Sequence, residues 1–261
     1  LGDEAFDVAL VVSPPQPQVA AAATPTPEPT ATPRPQPPAG ARGRLAILLD
    51  DAGQSVDLVA EVAALPDPVG VAVLPFLPAS AETAVVVHQA GHEVWLHLPM
   101  EPRGYPGRNP GPGAIFTSMT EPELRTTVHT ALNNIPHVVG VNNHMGSRAT
   151  ADLRVMTWVM QELKSRGVAF LDSRTTVETV AEDAARAQGV PTGRRHVFLD
   201  NRRTRRDVRR QLDEAVYRSR MEGEIVAIGH VNRVTVSVLA AELAGLQARG
   251  ADLVPPSELM R

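Results

Sequence analysis

The sequence predicts an α/β protein in which seven or eight strand–helix units form a (β/α) barrel. Short apolar runs alternate with amphipathic stretches from residue 45 to the end of the chain. This alternation is typical of a parallel sheet with helical connections. Most of the apolar runs end in an acid or a histidine, and α/β folds place their chemistry at the carboxyl ends of parallel strands.

Eight short apolar runs bounded by turn residues predict the strands. In chain order, these strands cover residues 45–49, 69–74, 92–98, 138–141, 168–171, 196–199, 225–228 and 252–254. Stretches with spaced apolar positions lie between them and predict seven helices. These helices cover residues 55–65, 80–90, the stretch that begins at 120, 150–166, 176–188, 204–221 and 234–249.

Several element boundaries have identifiable causes. Ser80 can cap the second helix and Gly91 closes it. Thr120 and Glu123 have the spacing of a capping box and open the third helix. The segment 99–118 is rich in proline and glycine and has no periodicity, so we expect a long loop there, and loops of this length are usually functional or disordered.

Composition separates the first 43 residues from the rest of the 261-residue chain. Val11–Gly43 holds ten of the 24 prolines, interleaved with alanine, threonine and glutamine. Such a stretch cannot bury enough apolar surface to offset its ordering entropy. We therefore expect residues 1–43 to be a disordered Pro/Ala/Thr-rich linker and residues 44–261 to form one barrel domain.

Charge and cysteine content exclude several classes of function. The chain has 25 basic and 29 acidic side chains, so its overall charge does not favour a nucleic-acid partner. The chain has no cysteine, which excludes disulfides and thiol catalysis. No signal peptide or membrane span is visible. A linker of this composition is typical of an exported protein at the cell envelope, with a membrane anchor upstream of this chain. The oligomeric state stays open.

Two adjacent acids, Asp50 and Asp51, follow the first strand directly. Side chains alternate along a strand, so these two cannot point the same way unless the strand has already ended. Neighbouring carboxylates repel each other unless a cation or a shared proton lies between them. The pair therefore indicates metal binding or acid–base catalysis. The alternative is that Asp51 only caps the following helix.

Acids and histidines at the other strand ends extend this pattern. The residues concerned are His97, His144, Asp172, Asp200 and His230. In a parallel barrel all of these ends meet at one rim. A single histidine after a strand is more often structural, but an aspartate with two histidines is a ligand set suited to zinc or a similar divalent ion.

Six sequence strings resemble those of a known family, the divergent polysaccharide deacetylases, which are relatives of the NodB-type carbohydrate deacetylases. The strings are LAILLDDAG, GHEVWLHLPMEP, VGVNNHMGSRAT, FLDSRTT, VFLDN and IGH followed by Thr235. They occur in the family's order from Leu45 to the end of the chain. The resemblance implies a distorted, seven-stranded barrel and the hydrolysis of N-acetyl groups on a polysaccharide.

The resemblance also implies a divalent metal, most simply Zn²⁺, and its ligands. It makes Asp50 the general base and Asp51 a metal ligand. The family's second motif has two histidines, of which this chain keeps His97 but has Glu101 at the place of the second. We expect His144 to supply the missing ligand.

Further roles follow from the remaining strings. His230 matches the family's general acid, and Asp172 and Asp200 are expected to orient the base or the acid. The residues expected to contact substrate are Glu101, Asn143, Arg148 and Arg174.

Two alternatives to a deacetylase remain. In one, the change at Glu101 alters the metal ligands and the site performs a different hydrolysis. In the other, the protein is a catalytically inactive module that keeps the fold and binds glycan or a partner protein.

Overall fold

The protein is organised around one parallel sheet, seen in a computed structural model that describes residues 34–66 and 68–261. Its nine strands are β1 (Gly43–Ala52), β2 (Gly70–Val73), β3 (Glu93–Met100), β4 (Val138–Met145), β5 (Ala169–Asp172), β6 (Thr192–Arg194), β7 (Val197–Phe198), β8 (Glu224–His230) and β9 (Ala251–Leu253). They run in the order β6-β5-β4-β3-β2-β1-β8-β7, and β9 pairs with the first residues of β1. Within the described residues no pairing joins β6 to β7. The curled sheet is therefore the predicted (β/α) barrel with an open seam.

In the described part of the chain, seven α-helices connect the strands. They are α1 (Asp57–Ala63), α2 (Ser80–Gln89), α3 (Glu121–Asn134), α4 (Leu153–Arg166), α5 (Ala181–Gln188), α6 (Arg205–Glu222) and α7 (Arg233–Glu242). The predicted capping box of Thr120 and Glu123 opens α3. Among the described helices, none is long and apolar enough to cross a membrane.

Alternation along the strands divides the core into two layers. Leu45, Ile47 and Leu49 belong to the large apolar cluster that the sheet shares with the helices. The intervening Ala46 and Leu48 belong to a smaller cluster made of strand residues and the chain's C-terminal end, so they point into the barrel. Asp50 follows Leu48 by two positions on β1, so it lies on the same inner face.

Trp95 fills the interior below the site. Its side chain is fully buried and belongs to the inner cluster. The position opposite is Gly140, where a Cβ atom would lie 2.4 Å from the indole ring. The glycine therefore makes room for the indole, and the packed interior closes the barrel beneath the strand ends.

Several elements differ from the predictions. The sheet has nine strands where the strand-by-strand analysis predicts eight, because β6, whose three residues TGR contain no apolar run, was missed. The predicted helix 176–188 begins only at Ala181, since Thr179 bonds to Asp172 and holds the preceding residues in a loop. The last helix ends at Glu242 and continues as two 3₁₀ turns. Strand β1 runs on through both aspartates to Ala52.

The compact folded unit is Pro37–Arg261. The predicted domain boundary at residue 44 stays a prediction. Most of the predicted linker, residues 1–33, lies outside the described residues. Residues 34–42 contain no helix or strand, and β1 begins at Gly43.

Candidate active site

The carboxyl ends of four strands bring the predicted polar residues to the mouth of the barrel. Asp50, His97 and His230 each follow by two positions an inner-cluster residue of the same strand. Because side chains two apart on a strand share a face, all three point inward. His144 on β4 also points inward, because it lies four positions after Gly140, which faces Trp95.

The backbone at Asp51 lets both aspartates serve this site. Asp51 has a φ of 64°, in the left-handed region, and the register of β1 against β2 shifts between Leu49 and Ala52. The turn breaks the alternation, so that both carboxylates reach the same histidine. His97 Nε2 lies 3.7 Å from Asp50 Oδ2 and 3.3 Å from Asp51 Oδ1.

Asp51, His97 and His144 form a three-ligand cluster. Asp51 Oδ1 lies 3.3 Å from His97 Nε2 and 3.1 Å from His144 Nδ1, and the two ring nitrogens are 3.1 Å apart. Ligands on a tetrahedral zinc with bonds of about 2.0–2.1 Å are separated by about 3.3 Å. Asp51 Oδ1 is also buried without a hydrogen-bond partner. The geometry and the unpartnered oxygen both fit a divalent cation.

The charges within the cluster reinforce one another. Burial by itself would lower the pKa of His97, but the carboxylates of Asp50 and Asp51 raise it to about 9. Burial would raise the pKa of Asp51, but the two adjacent imidazoles bring it well below its usual range. Without a cation, the site therefore holds a proton on His97 between two carboxylates.

Asp50 differs from Asp51 in its environment. Its carboxyl group is almost completely buried, and this desolvation raises its pKa, although His97 and His230 oppose the shift. Asn142 Nδ2 donates a hydrogen bond of 2.8 Å to Asp50 Oδ1. A carboxylate with a raised pKa is a better proton acceptor than one at the surface.

Asp200 holds His230. The Asp200 carboxylate accepts hydrogen bonds of 2.9 Å from the backbone N–H and from the Nδ1 atom of His230. Asn232 and Thr235 donate to the same carboxylate at 2.8 and 2.7 Å. Burial would lower the pKa of His230, but the bond to Asp200 and the nearby aspartates raise it. Nε2 of His230 faces the cluster, 3.7 Å from Asp51 Oδ2.

Glu101 lies outside the three-ligand cluster. Its carboxylate accepts two hydrogen bonds of 2.7 Å from the backbone and the hydroxyl of Thr117, and Arg148 pairs with its other oxygen at 3.2 Å. Glu101 thus fastens the end of the 99–118 loop. Arg148 is largely exposed beside it.

Asn143 and Asp172 also bond mainly to nearby loops. The Asn143 amide donates to the Met145 carbonyl and accepts from the Ser173 N–H. Asp172 was expected to orient the base or the acid, but its two oxygens accept bonds from the Arg174 N–H and the Thr179 hydroxyl. Both residues shape the loop after β5.

Arg174 contributes its backbone to this loop. Its φ of 49° is left-handed, and its carbonyl accepts a bond from Arg195, which also binds the Ser173 carbonyl. The side chain of Arg174 is partly exposed.

Asn142 is a site residue that the sequence analysis missed. It is fully buried and bonds to Asp50, to Ser173 and to His97. The predicted fourth strand ended at residue 141, which placed Asn142 in a loop. Because β4 continues to Met145, Asn142 shares a face with His144. Extending the alternation back from His144 would have identified it.

Comparisons with known proteins show which family the chain resembles. A family model described as divergent polysaccharide deacetylase matches residues 47–260. The chain is 40% identical over 198 residues to the uncharacterized protein YibQ of Escherichia coli (strain K12), covering 76% of this chain and 61% of that protein. It therefore spans less than two thirds of that relative's length.

Solved structures share the fold. The uncharacterized protein ATU2773 from Agrobacterium tumefaciens C58 is similar with a TM-score of 0.80 and 26% identity, over 84% of this chain and 90% of that one. BA3943 from Bacillus anthracis, a CE4 family pseudoenzyme, has a TM-score of 0.54 and 10% identity, over 84% of this chain and 66% of its own. The latter likeness concerns the fold alone.

The family match begins inside β1 and ends one residue before the end of the chain, so it includes every rim residue described above. The strings noted in the sequence lie within the same range, apart from the first two residues of LAILLDDAG. The chain belongs to the divergent polysaccharide deacetylase family.

Proposed function

We propose that this protein is a metal-dependent hydrolase that removes N-acetyl groups from an envelope or extracellular polysaccharide. The observation that carries the proposal is the arrangement at the rim. Three metal-ligand atoms lie beside a buried carboxylate, that of Asp50, and an imidazole, that of His230, which a carboxylate holds. Membership of the family supports an N-acetylated polysaccharide as the substrate.

Asp51, His97 and His144 would hold the cation. One carboxylate and two imidazoles form a ligand set that favours zinc and leaves a position open for substrate. Bound there, zinc would act as a Lewis acid towards the amide carbonyl and make a water molecule acidic near neutral pH.

Asp50 takes the proton of the attacking water. One of its oxygens accepts the bond from Asn142, and the other lies 3.7 Å from His97 Nε2, next to the cluster. Burial raises the pKa of Asp50, which suits it to accept a proton. A positioned general base contributes about 10²–10⁴-fold to the rate.

His230 gives a proton to the departing amine as the C–N bond breaks. Asp200 accepts from Nδ1, which leaves Nε2–H directed towards the cluster. The raised pKa of His230 keeps the ring protonated closer to neutral pH. Asp50 and His230 are register partners on β1 and β8, so base and acid reach the same space above the metal ligands.

We also propose that the domain works outside the cytoplasm. The proline-rich composition of residues 11–43 supports a tether, and a polysaccharide of the envelope would lie within its reach.

Acetate release tests the proposal. Zinc-loaded protein is incubated with N-acetylated glucosamine oligomers and with peptidoglycan fragments, and acetate and free amine are measured. We expect both products in equal amounts, and their loss when a chelator removes the metal. A protein that binds these glycans but releases no acetate would instead be the binding module considered from the sequence.

A further inference from the structure

We propose that Asn142 is a positioning residue that links the metal ligand His97 to the base Asp50. This inference rests on the proposed function, which it deepens. The side chain of Asn142 is fully buried at the centre of the rim. Its Nδ2 lies 2.8 Å from Asp50 Oδ1, and its Oδ1 lies 2.8 Å from His97 Nδ1.

The two contacts determine how the amide is oriented. An ionised carboxylate can only accept hydrogen bonds, so the amide NH₂ of Asn142 must face Asp50. The same NH₂ also donates to the Ser173 hydroxyl at 3.1 Å. The amide oxygen is then left to face His97, where it can only accept.

This orientation determines which nitrogen of His97 carries the proton. Nδ1 must donate to the Asn142 oxygen, so in the neutral ring Nε2 has the free lone pair. Nε2 is the atom that lies 3.3 Å from Asp51 Oδ1 and 3.1 Å from His144 Nδ1. Asn142 therefore prepares His97 for the metal, as outer residues do for metal-binding histidines.

The same amide selects the working oxygen of Asp50. With Oδ1 engaged by Asn142, Oδ2 is the oxygen beside the cluster, 3.7 Å from His97 Nε2. His97 and Asp50 are both nearly inaccessible to solvent, so water cannot easily replace the amide. One side chain thereby orients a metal ligand and the base together.

Zinc affinity measured by calorimetry on the full chain tests this role without any substrate. Asn142→Ala removes both contacts, and we expect zinc to bind about 10–100-fold more weakly. Thr192→Val is the matched control, because it removes a buried hydroxyl that bonds to the Phe170 carbonyl on the neighbouring strand. We expect the control to lose stability but to keep wild-type zinc affinity.

Asn142→Asp separates the two contacts. Its carboxylate can still accept from His97 Nδ1, as in the common carboxylate–histidine–zinc arrangement, but it cannot donate to Asp50. We expect zinc affinity at least equal to that of the wild type, together with a lower kcat and little change in KM for acetate release. This variant also keeps the test valid if Asn142→Ala does not fold.

Nitrogen-15 NMR of the histidine rings gives an independent result. We expect a slowly exchanging Nδ1–H signal of His97 in the wild type and in Asn142→Asp, and its loss in Asn142→Ala. The inference is overturned if Asn142→Ala keeps this signal and wild-type zinc affinity, or if Asn142→Asp binds zinc as weakly as Asn142→Ala. If the affinities follow the expected order but the wild type releases no acetate, only the proposed function fails.

Discussion

The left-handed backbone conformation of three residues helps to bring the polar side chains of the rim together. Asp51, Met145 and Arg174 are non-glycine residues with positive φ values of 64°, 53° and 49°. Asp51 directly follows Asp50, Met145 follows His144, and Arg174 follows Ser173 in the loop after β5. Such conformations cost about 1–3 kcal/mol each and cluster at functional sites. Here they turn the chain so that neighbouring residues can face one centre.

The metal ligands are tested by alanine variants. His97→Ala and His144→Ala each remove one of three ligand atoms that lie within 3.3 Å of one another, so both should lose most bound zinc. Glu101→Ala should keep the metal, because Glu101 bonds to Thr117 and Arg148. Metal analysis of the purified proteins checks this, with His129→Ala as a surface control. Full zinc in His144→Ala and none in Glu101→Ala would mean that Glu101 is the ligand.

Zinc affinity should depend on pH in a defined direction. The carboxylates of Asp50 and Asp51 raise the pKa of His97 to about 9 in the metal-free protein, and zinc must displace that proton. Below pH 9 the affinity should therefore fall as the pH falls, by up to about tenfold per unit from this proton. Calorimetry at pH 6.5, 7.5 and 8.5 measures it. An affinity that does not change across this range would contradict the account.

In the sequence, residue type identifies the candidate metal ligands better than it identifies the residues that orient them. The acids and histidines stood out because their chemistry is distinctive at a strand end. Asn142 did not, since an asparagine after an apolar run is also typical of a turn. The left-handed φ of Asp51 could not be read from the sequence either, because aspartate adopts that conformation in only a minority of cases.

Among the elements, the 99–118 loop is held by both the backbone and the side chain of Glu101. Glu101 backbone atoms bond to Ile115, Arg148 and Ala149, and its side chain holds Thr117. The sequence resemblance expects a metal ligand of the NodB-type deacetylases at this position, and in this chain Glu101 holds a loop beside the site there.

Removing this carboxylate should loosen the loop. Glu101→Ala leaves the Thr117 N–H without its acceptor, and we expect the free energy of unfolding to fall by about 1–3 kcal/mol. Hydrogen exchange should increase within 102–118. Arg148→Ala removes only an exposed partner and should cost less than about 1 kcal/mol. Equal exchange in wild type and Glu101→Ala would show that the loop is held by other contacts.

Elements with a strong apolar period were predictable and short polar ones were not. The runs that became β1, β3 and β8 are rich in apolar residues, so their positions followed directly. The three-residue β6 pairs with β5 through its backbone, a contact that leaves no hydrophobic signal. The residues before α5 form a loop because the Thr179 hydroxyl donates a hydrogen bond to Asp172. The local sequence does not show this tertiary contact.

In the barrel as a whole, a packed apolar interior lies beneath the polar residues at the carboxyl ends of the strands. Trp95 and the inner cluster fill the barrel below Asp50 and His97, while helices cover the outer face. The polar residues at the predicted strand ends were expected to lie close together, because the carboxyl ends of parallel strands meet at one rim. The seam between β6 and β7 was not predictable, because it depends on how far the sheet curls.

The folded unit should not need the residues before Pro37. Arg42 pairs with Asp252, and the Ala41 carbonyl accepts from Arg220, so the cut is placed ahead of these contacts. We expect a chain without residues 1–36 to melt at the same temperature as the full chain, since the buried core of the described residues lies within Pro37–Arg261. A shift of about 4 °C or more, near 1 kcal/mol or above for a domain of this size, would show that these residues stabilise the domain.

The comparison of wild type with Asp50→Asn tests whether Asp50 is the base of a metal-dependent deacetylase. Asparagine is nearly isosteric and its oxygen can still accept from Asn142, while Asp51, His97 and His144 remain to bind the metal. We predict equal zinc content, retained glycan binding and acetate release reduced by about 10²–10⁴-fold. Acetate release by Asp50→Asn at the wild-type rate would contradict the account, as would a wild type that binds N-acetylated glycan and releases none.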